Sequence, residues 1–142
     1  MIFSERHKAR GLALQALYEI DATGHEPAEV IKRQLAAVML SPDNNRFVEE
    51  LVAGVLENRA RIDEYIRRFA RAWPLEQMAV VDRNILRLAI YEVLVDNRVP
   101  VRVAINEAVE LAKDFGGQSS PRFINGVLSS VSNLKEEEDK GG

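Results

Sequence analysis

The fold of this chain follows from one segment, Val101–Leu134, which reads VRVAINEAVELAKDFGGQSSPRFINGVLSSVSNL. The segment contains two apolar patterns with a helical spacing of three and four residues, and a short polar loop separates them. This spacing places the apolar side chains on one face of each helix, which predicts a hairpin of two amphipathic helices. The first set is Ala104, Ala108, Leu111, Ala112 and Phe115, and the second is Phe123, Ile124, Val127, Leu128, Val131 and Leu134.

The loop at residues 116–121, GGQSSP, carries signals for ending one helix and starting the next. The glycine pair predicts that the first helix ends with a glycine in the left-handed conformation at C′. Ser120 is expected to cap the second helix, with Pro121 at its first position. The free N–H groups of such a helix start, together with Arg122, suit a phosphate or a carboxylate. The spacing alone, however, favours an ordinary hairpin loop that only turns the chain.

Helical periodicity extends over the remainder of the chain, and no alternating strand pattern competes with it. The last upstream pattern is apolar over most of its circumference, which is typical of a central, buried helix. We therefore predict an all-α fold. The upstream patterns begin near Arg6, run from about Pro27 to Val38, from about Arg46 to Ala70 with an irregularity near Asn58, and from about Leu75 to Val95.

The pair Trp73-Pro74 is the expected joint between two halves, because the residue before proline is pushed out of helical geometry. Residues 1–72 are predicted to form an N-terminal three-helix half with an arginine-rich start, and residues 73–134 a C-terminal helical half with the hairpin. The acidic run within residues 135–142 predicts a disordered tail. At 142 residues, the two halves suit a single folded unit.

Composition argues against several classes of protein. With 46% hydrophobic and 29% charged residues, the chain can bury a core, and it has no apolar run of membrane-spanning length and no signal segment. We therefore expect a cytoplasmic protein. The absence of cysteine removes disulfides and thiolate chemistry. His7 and His25 lack metal-site spacing, and no serine lies in a nucleophile elbow, so we predict no metal, no cofactor and no enzymatic activity.

Basic residues concentrate at the start of the chain, although the net charge is −3. Electrostatic attraction depends on local patches over about a Debye length, roughly 8–10 Å. Arg6, Lys8 and Arg10, with His7 among them, oppose the dipole of the helix that they open, at roughly 0.3–1 kcal/mol for each exposed charge. This local cost favours a nucleic-acid contact, and solvated basic side chains are an equally weighted interpretation.

Separated motifs of this chain agree in order and spacing with one known family. They are VAINEAVELAK at residues 103–113 followed by Phe115-Gly116, the pattern S-x-RFINGVL at 120–128, RLAIYE at 87–92, and QALY at 15–18. Together they resemble the signature of the NusB family of bacterial transcription antitermination factors. The resemblance covers essentially the whole chain except the last few residues. It implies a NusB-like helical bundle of about six to seven helices in two three-helix halves.

The resemblance also implies a function. It points to an RNA-binding factor that binds BoxA-type single-stranded RNA in ribosomal RNA leader transcripts together with NusE, a small-subunit ribosomal protein. Other Nus factors and RNA polymerase would be contacted indirectly, with no membrane involved, by a monomer or a homodimer. Two alternatives remain open. One is a helical scaffold that binds only protein; the other is a stand-alone RNA-binding module like the N-terminal domain of certain ribosomal RNA cytosine methyltransferases.

The expected RNA-binding residues lie in two zones, which form one groove only if the first and last helices lie side by side. Cations bind phosphates, and flat groups stack on unpaired bases. Phe123 suits stacking, worth about 1–3 kcal/mol, and equally suits core packing. The N-terminal zone is Arg6, His7, Lys8 and Arg10, and the C-terminal zone is Gln118, Ser119, Ser120, Arg122, Phe123 and Asn125.

For NusE, the resemblance points to Tyr18, Asp82 and Glu92. The two carboxylates would suit a basic partner. Tyr18 is equally explained as a half-buried core residue with its hydroxyl at the edge. Gly126, next to the C-terminal zone, is expected to let another helix approach closely.

Overall fold

The computed structural model describes residues 4–141, and within them it contains seven α-helices and no strand. The all-α prediction is therefore confirmed. The chain divides into two compact units, of which the first ends at Glu57 and the second begins at Asn58. In the part of the chain that is described, no helix is both long enough and apolar enough to cross a membrane.

The N-terminal unit is a three-helix unit in which α1 packs against both other helices. Ser4 caps α1, because its hydroxyl oxygen accepts a hydrogen bond from the N–H of His7 at 3.1 Å. Gly24 ends the same helix in the left-handed conformation, at a φ of 75°. The helices are α1 (Glu5–Thr23), α2 (Pro27–Ala36) and α3 (Pro42–Glu57).

The C-terminal unit is built around α5, which packs against α4, α6 and α7. Every α5 residue from Asn84 to Ile90 is buried, as predicted for a central helix. The elements of this unit are α4 (Arg59–Phe69), a 3₁₀ turn (Leu75–Gln77), α5 (Val80–Ile90), a π-helical segment (Tyr91–Asp96), α6 (Val101–Phe115) and α7 (Ser120–Gly141).

The boundary between the compact units differs from the expected joint at Trp73. The irregularity expected near Asn58 is a complete helix break, and α4 beyond it belongs to the C-terminal unit. A buried ion pair ties α4 to α5: Arg87 donates through Nε to Oδ1 of Asp63 at 2.9 Å and through Nη2 to Oδ2 at 3.1 Å. The proline signal therefore marks a helix end inside a unit, because a local break does not determine which helices pack together.

The C-terminal segment 135–142 also differs from the disordered tail expected there. The structure continues α7 to Gly141, while Gly142 lies outside the described residues. Lysine and glutamate have good helix propensity, and Nζ of Lys135 bonds Oδ1 of Asp139 at 3.2 Å, one helical turn further on. The acidic run is thus compatible with a solvated helix.

The loop between α6 and α7 closes on itself through Ser120. Gly116 is extended, with φ −91° and ψ −176°, so the expected left-handed glycine is not found there. A Cβ at Gly116 would lie 2.6 Å from the Cβ of Ser120, and glycine is needed for this close approach instead. Ser120 lies within α7, and its Oγ accepts from the N–H of Gly117 at 2.9 Å. It therefore bonds back into the loop and does not cap α7, and Pro121 occupies the second helical position.

Candidate nucleic-acid interface

The basic start of α1 separates into exposed and buried side chains. Arg6 and Lys8 are exposed, whereas His7 is 8% and Arg10 is 6% exposed. The ring of Phe47, on α3, lies 4.0 Å from the guanidinium carbon of Arg6 and 5.2 Å from that of Arg10. Cation–π attraction thus holds both arginines against α3. Of the four residues predicted for the N-terminal zone, Arg6 and Lys8 present their charge to solvent.

A carboxylate accompanies these cations. Glu5 accepts a hydrogen bond from the backbone N–H of Ser41, in the turn before α3. That bond lowers the pKa of Glu5, and the nearby charge of Lys8 contributes in the same direction. Glu5 therefore remains ionised and also complements the N-terminal dipole of α1. The zone consists of oriented cations beside one fixed anion.

The predicted C-terminal zone is mostly exposed. Gln118, Ser119, Arg122 and Asn125 face solvent, and their amide, hydroxyl and guanidinium groups are free to contact a ligand. Ser120 is 4% exposed and its hydroxyl serves the loop, so it supports the zone from inside. The structure therefore assembles this zone around the first turn of α7.

Gly126 lies beside the same zone on α7 and does not contact a packed helix. A Cβ built there meets no atom of the described residues within 4 Å. The close helix approach expected at this position is therefore not found. The glycine faces open space, where a helix interior would be more stable with alanine.

Phe123 lines an open cleft within the C-terminal unit and is half-buried. Its ring packs edge-on against Trp73, with ring centroids 6.1 Å apart and planes at 81°. Trp73 is 61% exposed despite its size. The cleft has a volume of about 390 Å³ and is lined by Trp73, Gln77, Met78, Ala79, Asp82, Ser119, Arg122 and Phe123.

Sequence reasoning missed part of this cleft. Trp73 was interpreted only as a joint residue, and Gln77 and Met78 were given no role. A detectable signal was present, because Trp73 is the single tryptophan of the chain and precedes a proline in a segment that breaks helical periodicity. A large aromatic side chain outside a helix face is free to remain at the surface.

The three residues expected to contact NusE have different environments. Tyr18, in the N-terminal unit, is 47% exposed, which agrees with a contact role better than with core packing. Glu92 lies in the π-helical segment and is 3% exposed, so its carboxylate is not offered to a partner as expected. Asp82, also in the C-terminal unit, lines the aromatic cleft instead of forming a patch with Glu92. Among residues 4–140, no group of three potential metal ligands is found.

Comparison with known proteins identifies the family. A family model described as the NusB family matches residues 7–133. The transcription antitermination protein NusB of Dehalococcoides mccartyi strain CBDB1 is 56% identical over 129 residues, which cover 91% of this chain and 90% of that protein. T. maritima NusB has a TM-score of 0.84 at 30% identity, covering 96% of this chain and 99% of its own. A crystal structure of the antitermination factors NusB and NusE in complex with dsRNA has a TM-score of 0.84 at 25% identity, covering 94% and 99%. With its motifs, its fold and nearly its whole length in agreement, the chain belongs to the NusB family.

Proposed function

We propose that this protein is a transcription antitermination factor that binds BoxA-type single-stranded RNA of ribosomal RNA leader transcripts together with NusE. The observation that carries the proposal is the family membership of a chain whose exposed cations lie in both predicted zones. A solved relative holds NusB with NusE and RNA, which supports the two partners. The work of such a factor is binding, and we propose that it takes place in the cytoplasm.

The exposed side chains suit a single strand of RNA. Arg6 and Lys8 in one unit and Arg122 in the other supply positive charge for phosphates. Gln118 and Asn125 carry both donors and acceptors, which suit base edges or the sugar–phosphate backbone. Phe47 keeps Arg6 oriented, which reduces the entropy that this side chain loses on binding.

For the protein partner, we propose a contact through exposed Tyr18. An amphipathic tyrosine supplies apolar area together with one hydrogen-bonding group, a combination enriched at interfaces. Glu92 is excluded as a direct contact by its burial. The complex of this protein, NusE and RNA would then engage the other Nus factors and RNA polymerase.

The test is a titration of dye-labelled BoxA-like RNA by fluorescence anisotropy, with and without NusE, at several salt concentrations. Three phosphate contacts imply a log–log salt slope near −2, at about 0.7 per contact for single strands. The double variant R6A/K8A should lower the slope by about 1.4 and leave thermal stability unchanged. The variant R102A removes an exposed arginine of α6 outside both zones and serves as the charge-matched control. An unchanged slope in R6A/K8A contradicts the proposed mode.

The same titration separates the alternatives. A scaffold that binds only protein would bind NusE and show no RNA affinity. A module of the methyltransferase-domain type would bind RNA without any gain from NusE. Because the solved relative contains double-stranded RNA, an unlabelled duplex is included as a competitor. If the duplex competes better than the single strand, the single-strand assignment is incorrect.

A further inference from the structure

We infer that the cleft beside Trp73 and Phe123 receives one unstacked RNA base, and that Asp82 selects a base with an exocyclic amino group. The inference rests on the proposed function, because the base belongs to the same bound strand. It goes further by assigning an occupant to the cleft and by changing the role of Asp82 from a partner contact to a determinant of base preference.

The walls of the cleft suit a flat ligand. Trp73 and Phe123 meet edge to face at 6.1 Å, so the ring faces are not stacked on each other. Met78 and Ala79 extend the apolar wall. Trp73 remains 61% exposed, an unusual state for a large aromatic side chain unless a ligand covers it. Aromatic platforms of this kind stack bases with about 1–3 kcal/mol per base.

Asp82 gives the cleft an acceptor. It lies in the first turn of α5, where a carboxylate complements the helix dipole, and this accounts for its charge. Its Oδ1 is buried and accepts no hydrogen bond from any residue that the structure describes, while the side chain lines the cleft. A carboxylate accepts well from an amino group such as N4 of cytosine. Uracil has no amino group and presents carbonyl oxygens, which a carboxylate repels.

The distribution of charge favours a nucleotide over a basic protein side chain. Arg122 lines the same cleft and makes no ion pair with another described residue, so it is suited to the phosphate of the bound nucleotide. The carboxylate of Asp82 repels phosphate and therefore favours the base edge on its own side. An incoming arginine or lysine would be attracted by Asp82 but repelled by Arg122. Ser119 connects the cleft to the exposed loop, along which the strand is proposed to pass.

Trp73 reports directly on the cleft, because the chain contains one tryptophan. We expect its fluorescence to be quenched on titration with BoxA-like RNA, with the same midpoint as the anisotropy of dye-labelled RNA. F123A should weaken binding about tenfold, within the range for one stacked base. Anisotropy that shows binding without any change of Trp73 fluorescence overturns this inference and leaves the proposed function standing. No binding in either signal overturns the proposed function itself. Quenching by NusE in the absence of RNA assigns the cleft to protein and also overturns the inference.

Base preference is tested with a set of RNAs in which each position in turn carries uracil or an amino-bearing base. The protein should bind about five- to tenfold more weakly when uracil occupies one particular position, and D82N should reduce that difference below about twofold. D139N removes the same charge from an exposed position of α7 and is the matched control. If D82N changes the affinity for every RNA by the same factor, Asp82 acts only through its charge and the assignment is incorrect. A circular dichroism melt verifies that D82N remains folded.

Discussion

At the scale of single residues, close approach accounts for identities that backbone conformation does not explain. Gly116 and Gly117 are adjacent in the α6–α7 loop, and neither has a positive φ. They nevertheless differ, because a Cβ on Gly116 would lie 2.6 Å from Ser120, whereas the nearest atom to a Cβ on Gly117 is 3.9 Å away. Only the first glycine is required by its surroundings.

We therefore predict opposite behaviour for two neighbouring substitutions. Gly116→Ala should lower the free energy of unfolding by about 1–3 kcal/mol, because its methyl group also meets the carbonyl oxygen of Ala112 at 2.8 Å. Gly117→Ala should stay within about 0.5 kcal/mol of the parent protein. Urea unfolding followed by circular dichroism measures both changes. Equal effects of the two substitutions would contradict the close-approach explanation.

At the scale of elements, one buried ion pair explains why α4 packs with α5. The Asp63 carboxylate accepts two hydrogen bonds from Arg87, and the amide oxygen of Asn84 accepts a third from the same guanidinium at 3.2 Å. Nε of Arg59 approaches Oδ2 of Asp63 at 3.8 Å. Satisfying every charge in this way is necessary, because an unpaired buried ion is strongly destabilising.

The substitution Asp63→Asn should destabilise the protein by about 3–5 kcal/mol, since it leaves the positive charge of buried Arg87 uncompensated. Glu64→Gln is the control. Its carboxylate pairs with Arg67 at the surface, and exposed pairs contribute at most about 1 kcal/mol. Chemical denaturation gives both values. A loss below 1 kcal/mol in Asp63→Asn would show that the pair does not determine the packing of α4.

The exposed face of α7 supplies a second element-scale prediction. Gly126→Ala should raise the free energy of unfolding by about 0.5–1 kcal/mol, because alanine restricts the unfolded chain and nothing described lies within 4 Å of the new methyl group. A thermal melt detects the gain as a higher Tm. Destabilisation would indicate that the described surroundings of Gly126 are incomplete.

At the scale of the whole molecule, a protein with a net charge of −3 is proposed to bind a polyanion. The acidic end of α7 contributes much of the negative charge, and most of its acids are exposed. Screening confines their effect on exposed cations to about a Debye length at physiological salt. The local zones can therefore attract RNA while the total charge remains negative.

Deleting residues 135–142 tests this separation. The segment carries two lysines against four acids, so its removal changes the formal net charge from −3 to −1. We expect faster RNA association at low ionic strength and no difference at high ionic strength, because long-range repulsion is screened by salt. Stopped-flow anisotropy measures the rates. A difference that persists at high salt would indicate direct contact between the segment and RNA.

Much of the fold could be predicted from local patterns. The spacing of apolar residues in α1, α6 and α7 identifies helices, and proline and glycine mark where they end, because both signals act within a few residues. The candidate residues of the α6–α7 loop were also accessible through the family motif. The side-chain environment of Arg10, Asp82 and Glu92 was not, since burial depends on elements distant in the chain.

Local sequence was thus sufficient for the all-α class, the order of the helices and the chemical character of both RNA-binding zones. Tertiary packing alone established that Arg10 and Glu92 are buried, that α4 joins α5 through Asp63, and that Asp82 shares a cleft with Phe123. The physical reason is that helix formation depends on neighbours three and four residues away, whereas solvent exposure and the walls of a cleft depend on contacts between segments far apart in the chain.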